Sequence, residues 1–198
     1  QFPHLIEFII GILVALTIHE AAHAYIAHLL GDNTAKYQGR ISLNPIKHLV
    51  IFIGIGWGKP VPVNPQYFKN PKRDQALVAL AGPMSNFILA IFLAIPLNFN
   101  LIPTFHSLLN TILEINVTLC ALNLLPIPPL DGSKILAIFI PQKNYYKYTS
   151  FLEANLTYII LLFMADIYLF QDFFGFSVFS TILNILTGAI KTLIFMGT

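Results

Sequence analysis

Five apolar runs, at 5–30, 76–97, 104–125, 151–170 and 174–196, limit what this chain can become more than any other feature. Each supplies the about 20 helical residues that cross a hydrocarbon core. With 56% hydrophobic and only 10% charged residues, the chain has too little polar surface for a soluble domain. The reading is an all-α polytopic membrane protein of about five transmembrane helices, a single integral-membrane domain over 1–198.

The loops orient these spans. Residues 31–75 carry Lys36, Arg40, Lys47, Lys59, Lys69, Lys72 and Arg73, seven of the eleven basic residues, and 132–150 carry Lys134, Lys143 and Lys147. The connection at 98–104 has no charge, and the turn near Gln171 has only Asp172. With basic loops in the cytoplasm, the chain starts outside and alternates through all five spans. Lys191 then falls near a cytoplasmic helix end, where a lysine snorkels. The expected location is the cell (plasma) membrane.

Scattered basic residues without interleaved aromatics exclude a nucleic-acid surface. Cys120, the single cysteine, rules out an internal disulfide and a Cys-rich metal site. No internal repeat supports an inverted-repeat transporter. The apolar start followed by "AAHA" imitates a signal peptide but lacks a basic leading region, so it is read as a retained first helix. Between the first two spans, "QGRISLNP" (38–45) and "GWGKPVPVNP" (56–65) are β-prone pieces flanking an apolar run too short to span. A small re-entrant β-hairpin or sheet, covered by the helices, is expected there.

His19 and His23 are four apart, so a helix puts both imidazoles on one face, one turn apart, with Glu20 beside them. Three ionisable groups inside an apolar helix are costly unless they face a cavity and act there. The pattern is H-E-x-x-H. Two neutral imidazoles hold Zn²⁺ at about 2.0–2.1 Å, and the glutamate, not itself a ligand, takes a proton from water activated at the metal. Hydrolytic zinc needs a third protein ligand and one open position. Asp131 in "NLLPIPPLDGSKIL" is the candidate, because Pro126, Pro128 and Pro129 end the third helix and a new one restarts at Asp131 and Gly132. Plain N-capping by Asp131 explains the position equally well, and its two oxygens allow both uses.

The ordered motifs "HEAAH" (19–23), "GRISLNP" (39–45), "GWGKPVPVNP" (56–65), "AGPMSN" (81–86) and "LNLLPIPPLDG" (122–132) cover most of the chain up to Ser133. In them the chain resembles the site-2 proteases, the intramembrane zinc metalloproteases. The resemblance implies that His19, His23 and Asp131 hold one Zn²⁺ and that Glu20 is the catalytic acid and base. It implies that Asn123 holds the substrate or its developing oxyanion, and that Asn86 packs or faces the substrate. The catalytic core then spans about 5–135, followed by two further helices. Two departures stand out: the Asp-Pro-x-Gly stretch usual after "NPIKHL" is missing, and Ser133 replaces a second glycine. A minimal form without an inserted PDZ-like domain is expected.

The implied activity is an endopeptidase that cleaves within or near the transmembrane segment of a single-span membrane protein. Its active site lies toward the cytoplasm, the lipid bilayer surrounds it, and a regulatory membrane protein is a further expected partner. Gly39–Pro65 strands would offer an edge for an unwound substrate. The remaining polar groups get structural readings: His28 snorkels, Glu114, broadly on one face with His106, is an interhelical partner, Asp166 is solvated, and His48 neighbours the substrate or the zinc. A zinc or proton-coupled transporter and a scaffold without catalysis are the competing functions. The complete set His19, Glu20, His23 and Asp131 speaks against the scaffold, which needs no general base.

Overall fold

The structure is a computed structural model that describes residues 2–52, 55–58 and 60–196. In chain order the elements are α1 (Phe2–Leu29), α2 (Thr34–Tyr37), strands β1 (Leu49–Phe52) and β2 (Ile55–Gly58), α3 (Pro71–Asn98) and α4 (His106–Leu124). There follow α5 (Asp131–Leu136), α6 (Gln142–Ala154), α7 (Leu156–Ala165), α8 (Gln171–Phe174) and α9 (Val178–Met196). Five helical stretches are long and apolar enough to cross a membrane: His4–Leu29, Pro71–Asn98, Pro103–Leu124, Leu156–Phe173 and Val178–Met196.

α1, α3 and α4 pack on one another and form the centre. Lipid tails are as apolar as leucine, so burial from water cannot drive these contacts, and small residues that let backbones approach must do so. Ala15, Ala24 and Ala27 of α1, Ala79, Ala90 and Ala94 of α3, and Ala121 of α4 are accordingly buried. Gly11 lets α1 meet Ile115 of α4, whose Cδ1 would lie 2.5 Å from an added Cβ. α9 closes one side, where Ile190 and Ile194 join Leu113, Val117 and Cys120 in a buried cluster. Large side chains such as Phe92, Leu162 and Leu193 face outward.

The connection between the first two spans differs from expectation. A re-entrant sheet over Gly39–Pro65 is not supported. The only paired backbone among the described residues is a four-residue antiparallel ladder, with Leu49 opposite Gly58 and Phe52 opposite Ile55. The "GRISLNP" piece instead folds as bends and a 3-10 turn at Pro45–Lys47, and a second 3-10 turn follows at Pro65–Tyr67. Pro45, Pro60, Pro62 and Pro65 have no N–H to give a ladder, which confines pairing to the proline-free stretch. Buried Asp32 fixes this connection: its carboxylate accepts the backbone N–H of Thr34 at 2.9 Å and of Asn64 at 2.7 Å.

Other positions are also corrected. The fourth span runs from Leu156 rather than 151, because polar α6 stops at Ala154 and α7 restarts after Asn155. Lys191 does not snorkel to a helix end; its Nζ lies 2.6 Å from Glu114 Oε2, joining α9 to α4. Glu114 is thus the interhelical partner its sequence context suggested. Asp166 is not simply solvated: it accepts the Ser177 hydroxyl at 2.6 Å and the N–H groups of Val178 and Phe179, satisfying the first turn of α9.

Between α4 and α5 the proline-rich segment makes bends and a turn, in which the Leu130 N–H donates to the Ile127 carbonyl at 2.9 Å, and α5 folds back against α3 and α4. Gly132 makes this possible, because an added Cβ would collide with the carbonyl oxygens of Leu124 and Leu125. Backbone oxygens cannot swing away as a side chain can. Gly132→Ala is therefore expected to destabilise the fold by about 1–3 kcal/mol, read as a lowered thermal midpoint of the purified protein in detergent.

Candidate metal centre and catalytic cleft

α1 carries His19 and His23 on its inner face, both buried, with the rings 4.6 Å apart and edge-to-face. α5 brings Asp131 to them. His19 Nε2 and His23 Nε2 each lie 3.2 Å from the same oxygen, Asp131 Oδ2. The capping alternative for Asp131 is not used: Leu130 is the residue at the cap and no side chain caps α5.

The protons in this cluster are settled by its neighbours. Asn86 Nδ2 donates to the Ala15 carbonyl at 3.1 Å and to Asn116 Oδ1 at 2.7 Å, so its Oδ1 must face His19. That oxygen accepts from His19 Nδ1 at 2.6 Å. His23 Nδ1 likewise donates to the Val78 carbonyl at 2.7 Å. Each neutral ring has then spent its one N–H on Nδ1, leaving a lone pair on Nε2. Two imidazole lone pairs and a carboxylate oxygen converge, an arrangement that calls for a cation among them.

Distances test which cation fits. Ligand bonds of about 2.0–2.1 Å at a tetrahedral angle place ligand atoms about 3.3 Å apart. The two observed separations are 3.2 Å. His19, His23 and Asp131 are also the group of metal-ligating side chains found among the described residues. The His₂-carboxylate donor set and the outer hydrogen bonds on both imidazoles suit zinc, since such partners fix tautomer and ring orientation.

Gly82 and Asn86, four apart on α3, lie against the histidines, Asn86 at His19 Nδ1 and Gly82 at the Nε2 edges of both rings. A Cβ on Gly82 would lie 2.5 Å from His23 Nε2 and 2.6 Å from His19 Nε2. Pro83 removes one rung of the α3 hydrogen-bond ladder at this turn. The expected substrate-facing role of Asn86 gives way here: it is fully buried behind His19 and its amide is occupied within the protein.

In front of the histidines lies a cleft of about 600 Å³. Glu20, Asn123 and Lys134 line it together with His19, His23 and Asp131. Apolar walls come from Leu16, Leu119 and Leu122, and from the extended segment at 60–65 through Pro60, Val61, Val63 and Pro65. Asn123 gives one amide N–H to the Leu119 carbonyl at 3.0 Å, which leaves its amide a second N–H. His28 is outside the cluster, bonded through Nδ1 to Asn33 at 2.6 Å. His48, expected as a substrate or zinc neighbour, is buried away from the cleft walls and donates Nε2–H to the Ser42 carbonyl at 2.6 Å.

Sequence reasoning missed Asn116, Gly82 and the Val78 carbonyl. One signal was available for Asn116: a buried amide in an apolar helix needs a partner, and Asn116 lies seven residues before Asn123, hence on a similar face of α4. Nothing local marks a backbone carbonyl as a histidine's partner.

Comparison with known proteins agrees with this donor set. The profile of peptidase family M50 matches residues 99–167. The chain is 38% identical over 176 residues to YwhC of Bacillus subtilis, named a candidate zinc metalloprotease, covering 80% of each chain. It is 34% identical over 139 residues to Rip2 of Mycolicibacterium smegmatis, also named a candidate zinc metalloprotease, covering 63% of this chain and 53% of that one. It is 29% identical over 157 residues to the zinc metalloprotease MJ0392 of Methanocaldococcus jannaschii, covering 77% of this chain and 41% of that one. No solved structure matches the chain.

Asn86→Leu removes the acceptor that holds the His19 tautomer and leaves Asn116 Oδ1 without its donor. Zinc affinity is expected to fall about 10- to 100-fold, measured by competition with a chromophoric chelator. Unchanged affinity would mean that the ring is oriented by packing alone.

Proposed function

The chain belongs to peptidase family M50, the site-2 protease family, and from that premise we propose that it is an intramembrane zinc endopeptidase. It would hydrolyse a peptide bond within or near the transmembrane segment of a single-span membrane protein. The observation that carries this reading is that Glu20, a carboxylate not among the three converging ligands, lines the same cleft as His19, His23 and Asp131.

His19, His23 and Asp131 would hold the zinc, which when bound polarises a carbonyl and makes water acidic enough to attack near neutral pH. Glu20 takes the proton from the attacking water and delivers it to the leaving amine. Asn123 donates its second amide N–H toward the oxyanion that develops on the scissile carbonyl; one such donor elsewhere is worth about 3 kcal/mol. Gly82 and Asn86 hold the histidines still while this happens.

A helical substrate hides its carbonyls in its own hydrogen bonds and must be unwound first. The extended 60–65 segment supports a way to compensate. Val61 and Val63 are two apart, so their N–H groups point to one side, and an unwound substrate can pair with them as an added strand. The cleft lies at the end of the bundle where the basic loops gather, which supports an opening toward the cytoplasm from the plasma membrane. A membrane protein that regulates access is a further partner in this reading. The transporter alternative is not favoured, since the relatives are named as metalloproteases.

The test is cleavage of a single-span substrate in liposomes by wild type and Glu20→Gln, with bound zinc measured on both. The variant is expected to keep its zinc and lose at least about a hundredfold in rate, and stripping the metal from wild type should abolish cleavage until zinc is returned. Equal cleavage by both proteins would overturn the mechanism.

A further inference from the structure

We propose that Lys134 selects substrates that carry an acidic side chain close to the scissile bond. The inference rests on the reading of the cleft as the substrate site. Lys134 is the one lysine or arginine among the described residues that line it. Its side chain is 58% exposed, so the ammonium is open to a ligand.

Its position is set by α5. Lys134 stands three residues after Asp131, one turn along the same helix face, with Nζ 4.0 Å from Asp131 Oδ1. That is the oxygen turned away from the histidines, because both imidazoles face Oδ2. The contact is longer than a hydrogen bond and holds the lysine over the cleft instead of fixing it there.

Charge then decides what the lysine attracts. The two negative groups of the cleft are Asp131 and Glu20. A bound divalent cation balances both, so the loaded cleft carries the net positive charge of Lys134. Lys134 is then the one unbalanced charge in a cleft whose walls also include Leu122, Leu130 and Val63, and a substrate carboxylate is the group that pairs with it. Reach limits the site. Residues of an extended chain are spaced about 3.4 Å apart, so an ammonium 4 Å from Asp131 Oδ1 serves side chains within about two residues of the bond under attack. A lysine or arginine at those substrate positions would meet a like charge and be disfavoured.

The experiment uses three versions of one fluorescently labelled single-span peptide. They differ only in carrying Glu, Gln or Lys on both sides of a central Gly-Pro pair that keeps the middle unwound. Affinity is read by anisotropy in detergent micelles with the zinc-loaded protein, Glu20 kept so that the charge of the cleft is unchanged, in the cold and before turnover. Cleavage ratios are read with the same protein. Glu should be preferred over Gln by about fivefold, the upper end for a partly exposed ion pair, and Lys should rank last. Lys134→Met should bring the Glu-to-Gln ratio to about one, and Lys134→Glu should reverse the order of Glu and Lys, both in affinity.

Equal affinity for the three peptides, or an order unmoved by Lys134→Glu, overturns the proposal. So does a loss of bound zinc in Lys134→Met with the ratio intact, which would make Lys134 a support for Asp131. If wild type cleaves none of the peptides, the protease reading fails, while the affinity arm still decides the role of Lys134.

Discussion

Three acceptor atoms, the Nε2 lone pairs of His19 and His23 and the Oδ2 of Asp131, converge from two helices on a point that only a cation can occupy comfortably. Much of the fold is explained by what it takes to bring them there. α3 must pass directly against the Nε2 edges of the imidazoles, so it has glycine at 82. α4 must stop short of the site and let the chain turn back, so three prolines follow Leu125. Gly132 must lie on the last carbonyls of α4, and a side chain there would push Asp131 out of reach.

A polar cluster inside an apolar bundle also needs every other polar atom accounted for. The chain from the Ile112 carbonyl through Asn116 and Asn86 to His19 does this across three helices, with steps of 2.8, 2.7 and 2.6 Å. Such a network is demanding in low dielectric, where an unpaired member costs far more than in water. It also transmits position: a shift of α4 against α3 moves the amide that sets the tautomer of His19. The C-terminal helices are attached differently. α9 is held by packed aliphatic residues and by the Glu114–Lys191 pair, and no residue of the apolar Leu156–Phe173 span is buried. The metal site therefore depends on α1, α3, α4 and α5.

The legible parts of the sequence were those whose meaning is local. His19, Glu20 and His23 could be placed on one face because helical spacing is the same wherever the helix sits. The spans are legible because length and hydropathy suffice, although the fourth begins later than its apolar run, where α6 mixes aromatic and charged residues. The misreadings involve information that no local pattern holds. Distance along its helix puts Lys191 near an end, yet its partner Glu114 lies on another helix. Asn86 could face either way from α3, and only the packing of α1 against it shows that it turns to His19. The 38–45 and 56–65 pieces have β-prone residues, but only the part up to Gly58 joins a ladder, because the prolines beyond it and at 45 remove the donors.

By itself the sequence determined that the chain is helical and membrane-embedded, and that two histidines and a glutamate share one turn inside the apolar region. Those are consequences of composition and of a fixed helical period. The tertiary structure alone decided that Asp131 is directed at the histidines instead of capping its own helix, that Asn86 stands behind the centre, and that Lys134 joins Glu20 and Asn123 around one cleft. The reason is physical: coordination and hydrogen bonding depend on distances of about 3 Å between residues far apart in the chain, and only packing sets those distances.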